Sequence, residues 1–426
     1  MNAMKIGIAG LGTVGGGVAK GLRAHGEMLG ARAGMPLELV AVCDRDPAKR
    51  AAFDAPEKLD DIKALAASKA DLIVELIGGE NGAAPALVEA ALNAGKHVVT
   101  ANKAMMARHG ARLAALAEKN GRALKFEAAV AGGIPIVKSL RESLIVNGVA
   151  AVRGILNGTC NYILTQMEAT GRSFEDVLKD AQALGYAEAD PELDVGGGDT
   201  AHKLALLTAL AFGVAPDLDA VSVQGIRAIT PDDIAFAREF GYRIKLLGVA
   251  RKTESGIIQR VQPSMVRAGT ALADVEGVLN GVVVSANEAG PFFFEGRGAG
   301  EFPTANAVIA DIVDIGRGNI GSVFGVPATS LAALSQAPAG GALTAFYLRF
   351  QVLDVPGVLA EIAGLLAKWR VSIESMIQRG RAPGEAVSIV MITHETTYAA
   401  VESALQTIAG SSHVIAPPVM IPMEAK

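Results

Sequence analysis

The sequence predicts an α/β protein that begins with a doubly wound parallel sheet and ends with a ferredoxin-like unit. Up to about residue 130, short apolar runs alternate with helical segments, as in βαβ units that have helices on both faces of a sheet. After residue 343 the predicted order is βαββαβ, which is typical of ferredoxin-like domains. Between them, residues 131–302 mix helical and strand-like runs, which indicates an α+β domain.

The first domain is expected to cover residues 1–130. Its strands are predicted at 5–9, 37–43, 72–77, 97–100 and 124–128, and its helices at 14–25, 62–68, 84–94 and 111–119. The glycine-rich stretch 26–36 is interpreted as a loop inserted before the second strand. An apolar helix at 305–315 is expected to return to this domain, so that residues 303–320 pack on it.

The last domain is expected at 343–426, after a linker with the sequence SQAPAGG at 335–341. Its strands are predicted at 345–352, 373–378, 386–393 and 414–419, and its helices at 357–368 and 398–408. The three predicted domains fit a chain of 426 residues, because single domains commonly have about 100–200.

Composition excludes several classes of protein. The net charge is −5 and no run of Lys or Arg forms a basic stripe, so nucleic acid is not an expected partner. No stretch of about 18 apolar residues predicts a membrane span, and the first residues lack the features of a signal peptide. The two cysteines, Cys43 and Cys160, form neither a disulfide framework nor a metal cluster. We therefore expect a cytoplasmic protein.

A glycine-rich turn follows the first predicted strand and opens the first helix. Its sequence, Gly10-Leu11-Gly12-Thr13-Val14-Gly15, matches GxGxxG, the fingerprint of a Rossmann dinucleotide-binding domain. The first glycine permits the tight turn, the second leaves room for the pyrophosphate, and the third lets helix and strand pack closely. We expect Gly10, Gly12, Thr13, Val14 and Gly15 to contact the cofactor. The alternative is an ordinary strand–helix turn.

The end of the second predicted strand bears on the choice of cofactor. Asp44 favours the ribose 2′-hydroxyl of NAD, whereas the adjacent Arg45 can hold the 2′-phosphate of NADP. The distance from the glycines exceeds the usual spacing of about 20 residues, which the insertion at 26–36 explains. The sequence leaves NAD or NADP open, and Arg45 could equally be a solvated surface charge.

Carboxylates crowd a segment that also contains three consecutive glycines. Glu188, Asp190, Glu192, Asp194 and Asp199 all lie between residues 181 and 203. Lys203 follows Asp199 by four residues, so in a helix that begins near Asp199 the two side chains share one face. Asp199 is expected at the helix N-cap, and its carboxylate is expected to preserve the charge of Lys203. The plain alternative is a surface ion pair, which contributes little.

Long motifs make the sequence resemble homoserine dehydrogenases over nearly its whole length. They are GKHVVTANKA (95–104), EAAVAGGIPI (127–136), GILNGTCNYIL (154–164), AQALGYAEADPELDVGGGDTAHK (181–203) and GRGAGEFPTANAV (296–308). The resemblance implies NAD(P)-dependent interconversion of L-homoserine and L-aspartate 4-semialdehyde, in the biosynthesis of threonine, methionine and isoleucine. A domain order that begins with the Rossmann turn implies a monofunctional enzyme.

The resemblance also implies roles for individual residues. Lys203 is the expected acid/base residue, oriented by Asp199, with Lys103 beside the nicotinamide and the substrate. Glu188 would hold the substrate ammonium, with Asp194 also contacting the substrate. Residues expected near the cofactor are Thr100, Lys103, Gly185 and Gly300. Asp194 and Asp199 could instead be loop or cap hydrogen bonders, and Gly300 could belong to an ordinary turn.

Glu127, Val130, Gly132 and Ile134 match the monovalent-cation site of the same family. One carboxylate with several backbone carbonyls suits a hard cation such as sodium, which would have a structural role at the domain junction. In the alternative, Glu127 only accepts hydrogen bonds from nearby backbone. Cys160 is not expected to be a nucleophile, because asparagines and a threonine surround it where a base would be needed.

The C-terminal unit resembles an ACT domain, with the sequence DVPGVL at 354–359 between its first strand and helix. Gly357 would leave amides at a helix N-terminus open to the carboxylate of a small ligand. In this family the implied effector is threonine; the alternative is a module used only for assembly of a homodimer or homotetramer. Rival functions are a catalytically inactive amino-acid sensor and a Rossmann dehydrogenase acting on another small hydroxy acid or aldehyde.

Overall fold

A computed structural model describes residues 2–145, 148–338, 340–378 and 384–424. Residue 339 of the predicted linker lies outside these ranges. No helix within the described residues has the length and apolar character needed to cross a membrane.

The N-terminal sheet has six parallel strands in the order β3-β2-β1-β4-β5-β6. The strands are β1 (Met4–Ala9), β2 (Leu37–Cys43), β3 (Glu57–Leu59), β4 (Leu72–Glu75), β5 (His97–Thr100) and β6 (Leu124–Lys125). The helices are α1 (Thr13–Ala24), α2 (Gly26–Ala33), α3 (Pro47–Ala51), α4 (Ile62–Ala67), α5 (Ala83–Asn93) and α6 (Lys103–Lys119). The strand order reverses between β1 and β4. Doubly wound sheets bind ligands in the crevice at such a reversal, outside the carboxyl ends of the strands.

This domain differs from the sequence prediction in several places. Helix α3 and strand β3 were not predicted, and the strand predicted at 124–128 ends at Lys125, before the 3₁₀ turn Glu127–Ala129. The stretch 26–36 is not a loop, because Gly26–Ala33 form helix α2, which ends at left-handed Gly34. A Cβ on Gly316 would lie 2.9 Å from that of Ala33, so close tertiary packing overrides the low helix propensity of the glycines. Helix α6 starts eight residues earlier than predicted (111 − 103), because the side chain of Asn102 accepts a hydrogen bond from the amide of Met105 and caps it.

The middle of the chain forms a second six-stranded sheet, in the order β12-β11-β7-β9-β10-β8. Its strands are β7 (Val149–Ile155), β8 (Ser222–Val223), β9 (Tyr242–Thr253), β10 (Gly256–Arg267), β11 (Leu279–Ala286) and β12 (Gly290–Arg297). The helices from this part of the chain are α7 (Ile136–Lys138), α8 (Gly158–Thr170), α9 (Phe174–Ala183), α10 (Glu192–Val195), α11 (Gly198–Phe212), α12 (Pro231–Glu239) and α13 (Glu301–Gly316). All ladders are antiparallel except β8–β10.

Helix α13 leaves the second sheet and packs on α1 of the first domain. A Cβ on Gly17 would lie 2.9 Å from Glu301 and 3.1 Å from the Cβ of Ala305, so the glycine lets the two helices approach closely. Lys20 on α1 donates a hydrogen bond to Glu301 on α13 at 2.7 Å. The two domains are therefore joined by packing as well as by the chain.

The C-terminal sheet has the antiparallel order β15-β16-β14-β18. Its elements are β14 (Phe346–Leu353), α14 (Val358–Lys368), β15 (Ile373–Gln378), β16 (Ala386–Thr393), α15 (Tyr398–Ala409) and β18 (Val419–Pro422), with a small ladder of β13 (Leu343–Thr344) and β17 (Thr396–Thr397). The last strand was predicted at 414–419 but begins at Val419. Pro417 and Pro418 have no amide proton for a ladder, which explains the late start.

Buried polar contacts fasten this sheet to the middle domain. On β14, the Tyr347 hydroxyl and the Arg349 guanidinium both donate to the carboxylate of Asp233 on α12, at 2.8 Å and 2.6 Å. Asp233 is fully buried and also completes a capping box with Thr230. At the start of α15, the hydroxyl of Tyr398 accepts a hydrogen bond from Gln262 on β10 at 2.6 Å.

Candidate active site

A cavity of about 550 Å³ lies between the C-terminal edge of the first sheet and the middle domain. It is lined by residues from α1, from the loops after β5 and β6, from the 3₁₀ turn Glu127–Ala129, from α8 and α11, and from the segment between β12 and α13. A second cleft of about 460 Å³ lies along the ends of β1 and β2. The two cavities adjoin opposite parts of the same turn, since Val14 lines the first and Gly10 and Gly12 line the second.

The glycine-rich turn has the geometry that dinucleotide binding requires. Gly10 has φ +87°, and a Cβ there would lie 2.4 Å from the carbonyl oxygen of Leu76. A Cβ on Gly15 would lie 1.9 Å from the Gly10 oxygen, whereas one on Gly12 would meet no described atom within 4 Å. Gly12 therefore faces open space where phosphates can approach. Val14 lines the main cavity, and Thr13 begins α1 with an exposed side chain.

Asp44 and Arg45 lie together in the second cleft with Gly10 and Gly12. Oδ2 of Asp44 accepts a hydrogen bond from the Leu11 amide at 2.8 Å, and Oδ1 accepts one from the Asp46 amide at 2.9 Å. Burial opposes ionisation of Asp44, but these two amides outweigh it and lower its pKa. Arg45 is exposed at the rim of the cleft, and Lys49 adds a second cation beside it.

The turn after β5 is organised by a carboxylate that sequence reasoning missed. Glu75 is fully buried at the end of β4, and its Oε1 accepts from the Ile77 and Gly78 amides at 2.8 Å and 3.1 Å. The Thr100 hydroxyl donates to Glu75 Oε2 at 2.6 Å and accepts from the amide of Asn102. The Thr100 side chain therefore braces the turn and does not line the cavity. The signal in the sequence was a lone acidic residue in the apolar run LIVE.

At the floor of the cavity, Asp199 joins two lysines. Lys203 Nζ donates to Asp199 Oδ2 at 2.7 Å and to the carbonyl oxygen of Leu156 at 2.6 Å. Lys103 Nζ lies 3.0 Å from Asp199 Oδ1. Lys203 is only 8% exposed, while about a third of the Lys103 side chain (34%) remains accessible. The arrangement holds two ammonium groups side by side in one cavity.

Asp199 is not the helix N-cap that the sequence suggested. Helix α11 is preceded by left-handed Gly197, and Asp199 is the second residue of the helix, with its carboxylate turned to the two lysines. Three glycines before Asp199 permit this tight entry, because a Cβ on Gly197 would lie 3.0 Å from Val223 and Val261. Asp199 and Lys203 share one helix face, as the four-residue spacing predicts.

The charges in this cluster shift each other's pKa values. Burial lowers the pKa of Lys203; Asp199 opposes this, and Lys103 adds to the lowering, so the net direction is downward. The expectation that acidic neighbours preserve the charge of Lys203 is therefore only partly correct, because burial together with Lys103 outweighs Asp199 and lowers the pKa of Lys203. Asp199 raises the pKa of Lys103. Burial opposes ionisation of Asp199, but the two lysines hold its pKa well below the usual range.

Asn157 and Asp194 extend the cluster. Asn157 caps α8 and donates from Nδ2 to Asp194 Oδ1 at 2.7 Å and to Asp199 Oδ2 at 2.9 Å. Burial raises the pKa of Asp194. The sequence reasoning did not select Asn157, although it follows a strand inside the motif GILNGTCNYIL. Cys160 donates to the carbonyl of Asp194 at 3.2 Å, and burial raises its thiol pKa, which disfavours a nucleophilic thiolate.

The remaining candidate residues differ in their relation to the cavity. Glu188 is exposed and is not among the residues that line it, although its charge contributes to raising the pKa of Lys103. Gly185 lines the cavity with φ +75°. Gly300, at φ +126°, lines it immediately before α13.

Glu127 lies behind this wall with its carboxylate turned to backbone. Its two oxygens accept from the amides of Val137 and Lys138 at 2.9 Å and 2.7 Å. Burial and the nearby Asp311 raise its pKa to about 7. The loop through Val130, Gly132 and Ile134 contains Ala131 at φ +53°, an uncommon conformation for alanine. Within the described residues, no group of three or more His, Cys, Asp or Glu side chains could hold a metal ion.

Three family models match the chain. They are described as homoserine dehydrogenase, NAD binding domain (residues 10–127), homoserine dehydrogenase (135–313) and ACT domain (346–410).

The similarity to individual proteins extends over the full chain. A homoserine dehydrogenase from Neisseria gonorrhoeae is 43% identical to this chain, and the aligned region includes 100% of this chain and 99% of that protein. The crystal structure of a homoserine dehydrogenase from Thiobacillus denitrificans has a TM-score of 0.93 at 40% identity, over 100% of this chain and 99% of that one. A hyperthermophilic archaeal homoserine dehydrogenase in complex with NADPH has a TM-score of 0.64 at 26% identity, covering 74% of this chain and 97% of that one.

Proposed function

The chain belongs to the homoserine dehydrogenase family, and we propose that Lys203, Asp199 and Lys103 carry its chemistry. It is therefore an NAD(P)-dependent oxidoreductase that interconverts L-homoserine and L-aspartate 4-semialdehyde. The observation that carries the residue assignment is the single Asp199 carboxylate bound to both lysines at the floor of the cavity. The inactive amino-acid sensor finds no support in these relatives.

The residues present fit a nicotinamide dinucleotide. Open space over Gly12 and the start of α1 suit its phosphates, and Asp44 with Arg45 and Lys49 suit its ribose. When bound, the cofactor supplies or accepts the hydride at the substrate carbon. We propose that the chain uses NADP as well as NAD, because two cations lie beside Asp44 and because the archaeal relative binds NADPH.

Lys203 is proposed to exchange the proton at the reacting oxygen. Its lowered pKa brings it closer to the range in which a lysine can act as a base in oxidation and as an acid in reduction. Lys103 stays charged through Asp199, so it is suited to orient the same oxygen by donating a hydrogen bond. Asp199 positions both amines.

Glu188 and Asp194 are proposed to bind the amino-acid end of the substrate. Glu188 is exposed and close enough to Lys103 to act on its charge, and a carboxylate there can meet the substrate ammonium. Asp194 lines the cavity next to Asn157, which holds its side chain in place. Gly185 and Gly300 leave the walls free of side chains where ligands approach.

A sodium ion is proposed at Glu127 and the carbonyls of Val130, Gly132 and Ile134. The support is chemical: burial and Asp311 disfavour the charged form of the Glu127 carboxylate, and a cation beside it would favour that form. The loop that follows has two residues with positive φ, Ala131 and Gly132. One observation argues against a bound sodium ion. Both oxygens of Glu127 already accept hydrogen bonds from backbone amides, so only their remaining lone pairs could bind an ion.

The ACT domain is proposed to bind threonine at the start of α14, where Gly357 has φ +97° and a Cβ would meet no described atom within 4 Å.

A homodimer or homotetramer in the cytoplasm is also proposed, and strand β12 at the edge of its sheet supports assembly by offering unpaired backbone.

One assay tests the activity. The full chain is mixed with L-homoserine and either NAD or NADP, and absorbance is followed at the reduced-nicotinamide band with and without threonine. We expect formation of reduced cofactor with homoserine, and a slower rate with threonine. Absence of reduction with both cofactors, in a preparation that is folded and binds cofactor, would refute the proposal. If threonine does not inhibit at any concentration, only the proposal that threonine is the effector is refuted.

A further inference from the structure

Asn280 on β11 is a buried amide in the active-site cavity with neither polar atom paired. It is 0% exposed and lines the cavity, and among the described residues neither its Nδ2 nor its Oδ1 has a hydrogen-bond partner. Buried amide groups in folded proteins nearly always have partners, so two free atoms on one side chain need an explanation. The cavity itself offers one, because Asn280 lines it and a ligand bound there can supply the missing partners.

The backbone around Asn280 packs closely on the amide and fixes its position. A Cβ on Gly298 would lie 2.2 Å from both Nδ2 and Cγ of Asn280, so only glycine fits against this face. Asn280 pairs with Gly296 across the β11–β12 ladder, which fixes it beside the segment that leads to Gly300. The side chain is therefore held from a central strand of the sheet and not from a mobile loop.

The free atoms define the chemistry of the partner. Oδ1 needs a donor and Nδ2 needs an acceptor, so a planar group that offers both would satisfy the amide at once. A substrate ammonium only donates and a carboxylate only accepts. The substrate hydroxyl does both, but in the proposed function it meets Lys203 and Lys103. A primary carboxamide offers a carbonyl acceptor and N–H donors in one plane, with the spacing of another amide.

We propose that Asn280 binds the carboxamide of the nicotinamide and fixes the orientation of the ring. This rests on the proposed function, in which hydride transfer to the substrate beside Lys203 requires the nicotinamide ring in the main cavity. Asn280 acts as a positioning residue: it selects which face of the ring is turned to the substrate. It takes no part in proton transfer.

The test compares cofactor binding with and without the carboxamide donor. Dissociation constants of the full chain are measured by calorimetry for NAD and for its 3-acetylpyridine analogue, which keeps the carbonyl but has no amide N–H. We expect the wild-type protein to bind NAD roughly tenfold more tightly than the analogue. In Asn280→Ala this ratio should fall close to one. Gln259→Ala is the matched control, because Gln259 is a buried amide of the same sheet with an unpaired Oε1 that does not line the cavity.

Each outcome decides the proposal. Equal wild-type affinity for the two cofactors overturns it without any variant, which covers the case in which Asn280→Ala fails to fold. An unchanged ratio of the two dissociation constants in folded Asn280→Ala overturns it as well. A variant in which only the KM for homoserine rises also overturns it, because the amide would then bind the substrate and not the cofactor. Homoserine oxidation by the same wild-type preparation is measured in parallel: if it is present while the ratio is one, only the role of Asn280 fails, and if it is absent the proposed function fails.

Discussion

Lys103 and Lys203 bind opposite oxygens of one carboxylate, with 3.0 Å from Lys103 Nζ to Asp199 Oδ1 and 2.7 Å from Lys203 Nζ to Oδ2. Two cations share one carboxylate, and Asn157 links that carboxylate to a second one, Asp194. The more deeply buried amine, Lys203, is the one whose pKa is lowered. Different roles for two chemically identical side chains follow from this difference in burial.

Replacing Lys203 by methionine is expected to lower kcat at least about 100-fold, because it removes the group that exchanges the proton at the reacting oxygen. Cofactor affinity should stay near that of the wild-type protein, since Lys203 bonds to Asp199 and to the Leu156 carbonyl and not to the residues proposed to hold the phosphates and ribose. Steady-state rates and calorimetric cofactor binding check both. Lys179→Met is the control, because that side chain is exposed on α9. Normal turnover in Lys203→Met would remove Lys203 from the mechanism.

Asp199→Asn is expected to change the pH dependence in a defined direction. Asp199 stabilises the charged form of Lys203, so its neutralisation lowers the pKa of Lys203 further. Homoserine oxidation needs the uncharged amine, and the rising limb of kcat/KM against pH should therefore move to lower pH. Asp180→Asn, which affects an exposed pair with Arg172, should leave the profile in place. A limb that moves to higher pH would contradict the assignment of the base.

Sodium is expected to raise the melting temperature by roughly 2–4 °C relative to a bulky organic cation at the same ionic strength. In Glu127→Gln this difference should disappear, because the variant lacks the charged ligand. Glu168→Gln, which affects a carboxylate near Arg243, should keep it. Thermal melts of the three proteins in both salts provide the measurement. Identical melting of the wild-type protein in the two salts would leave Glu127 as a backbone acceptor only.

Gly357→Ala is expected to weaken inhibition by threonine about tenfold or more and to leave the uninhibited rate unchanged. A side chain at φ +97° is strained by about 1–2 kcal/mol and would stand over the start of α14. Gly364→Ala lies inside the same helix with open space around it, and should keep the threonine response. Inhibition curves of the three proteins check this. Equal curves for both variants would exclude α14 as the effector site.

Sequence periodicity predicted most of the strands and helices, because each strand or helix follows a local apolar pattern. It failed at α2, where a contact with Gly316 from far along the chain stabilises a glycine-rich helix. Local motifs likewise selected Lys203, Asp199 and Lys103. They could not give the direction of the Lys203 pKa, which depends on burial and on the approach of α6 to α11. Glu75 and Asn280 were missed for the same reason, since their importance lies in which polar atoms are left paired or unpaired after folding.

The bonds from Tyr347 and Arg349 to Asp233 have a consequence for protein engineering. A chain shortened before β14 would lack Tyr347 and Arg349, the two residues of the ACT domain that donate hydrogen bonds to the fully buried carboxylate of Asp233. Only the hydrogen bonds within the capping box with Thr230 would remain. Simple truncation would then lose activity through instability, which could be mistaken for a catalytic need for the regulatory domain. Asparagine at position 233 keeps an acceptor for the capping box without the charge. A minimal, effector-independent catalyst should start from that substitution.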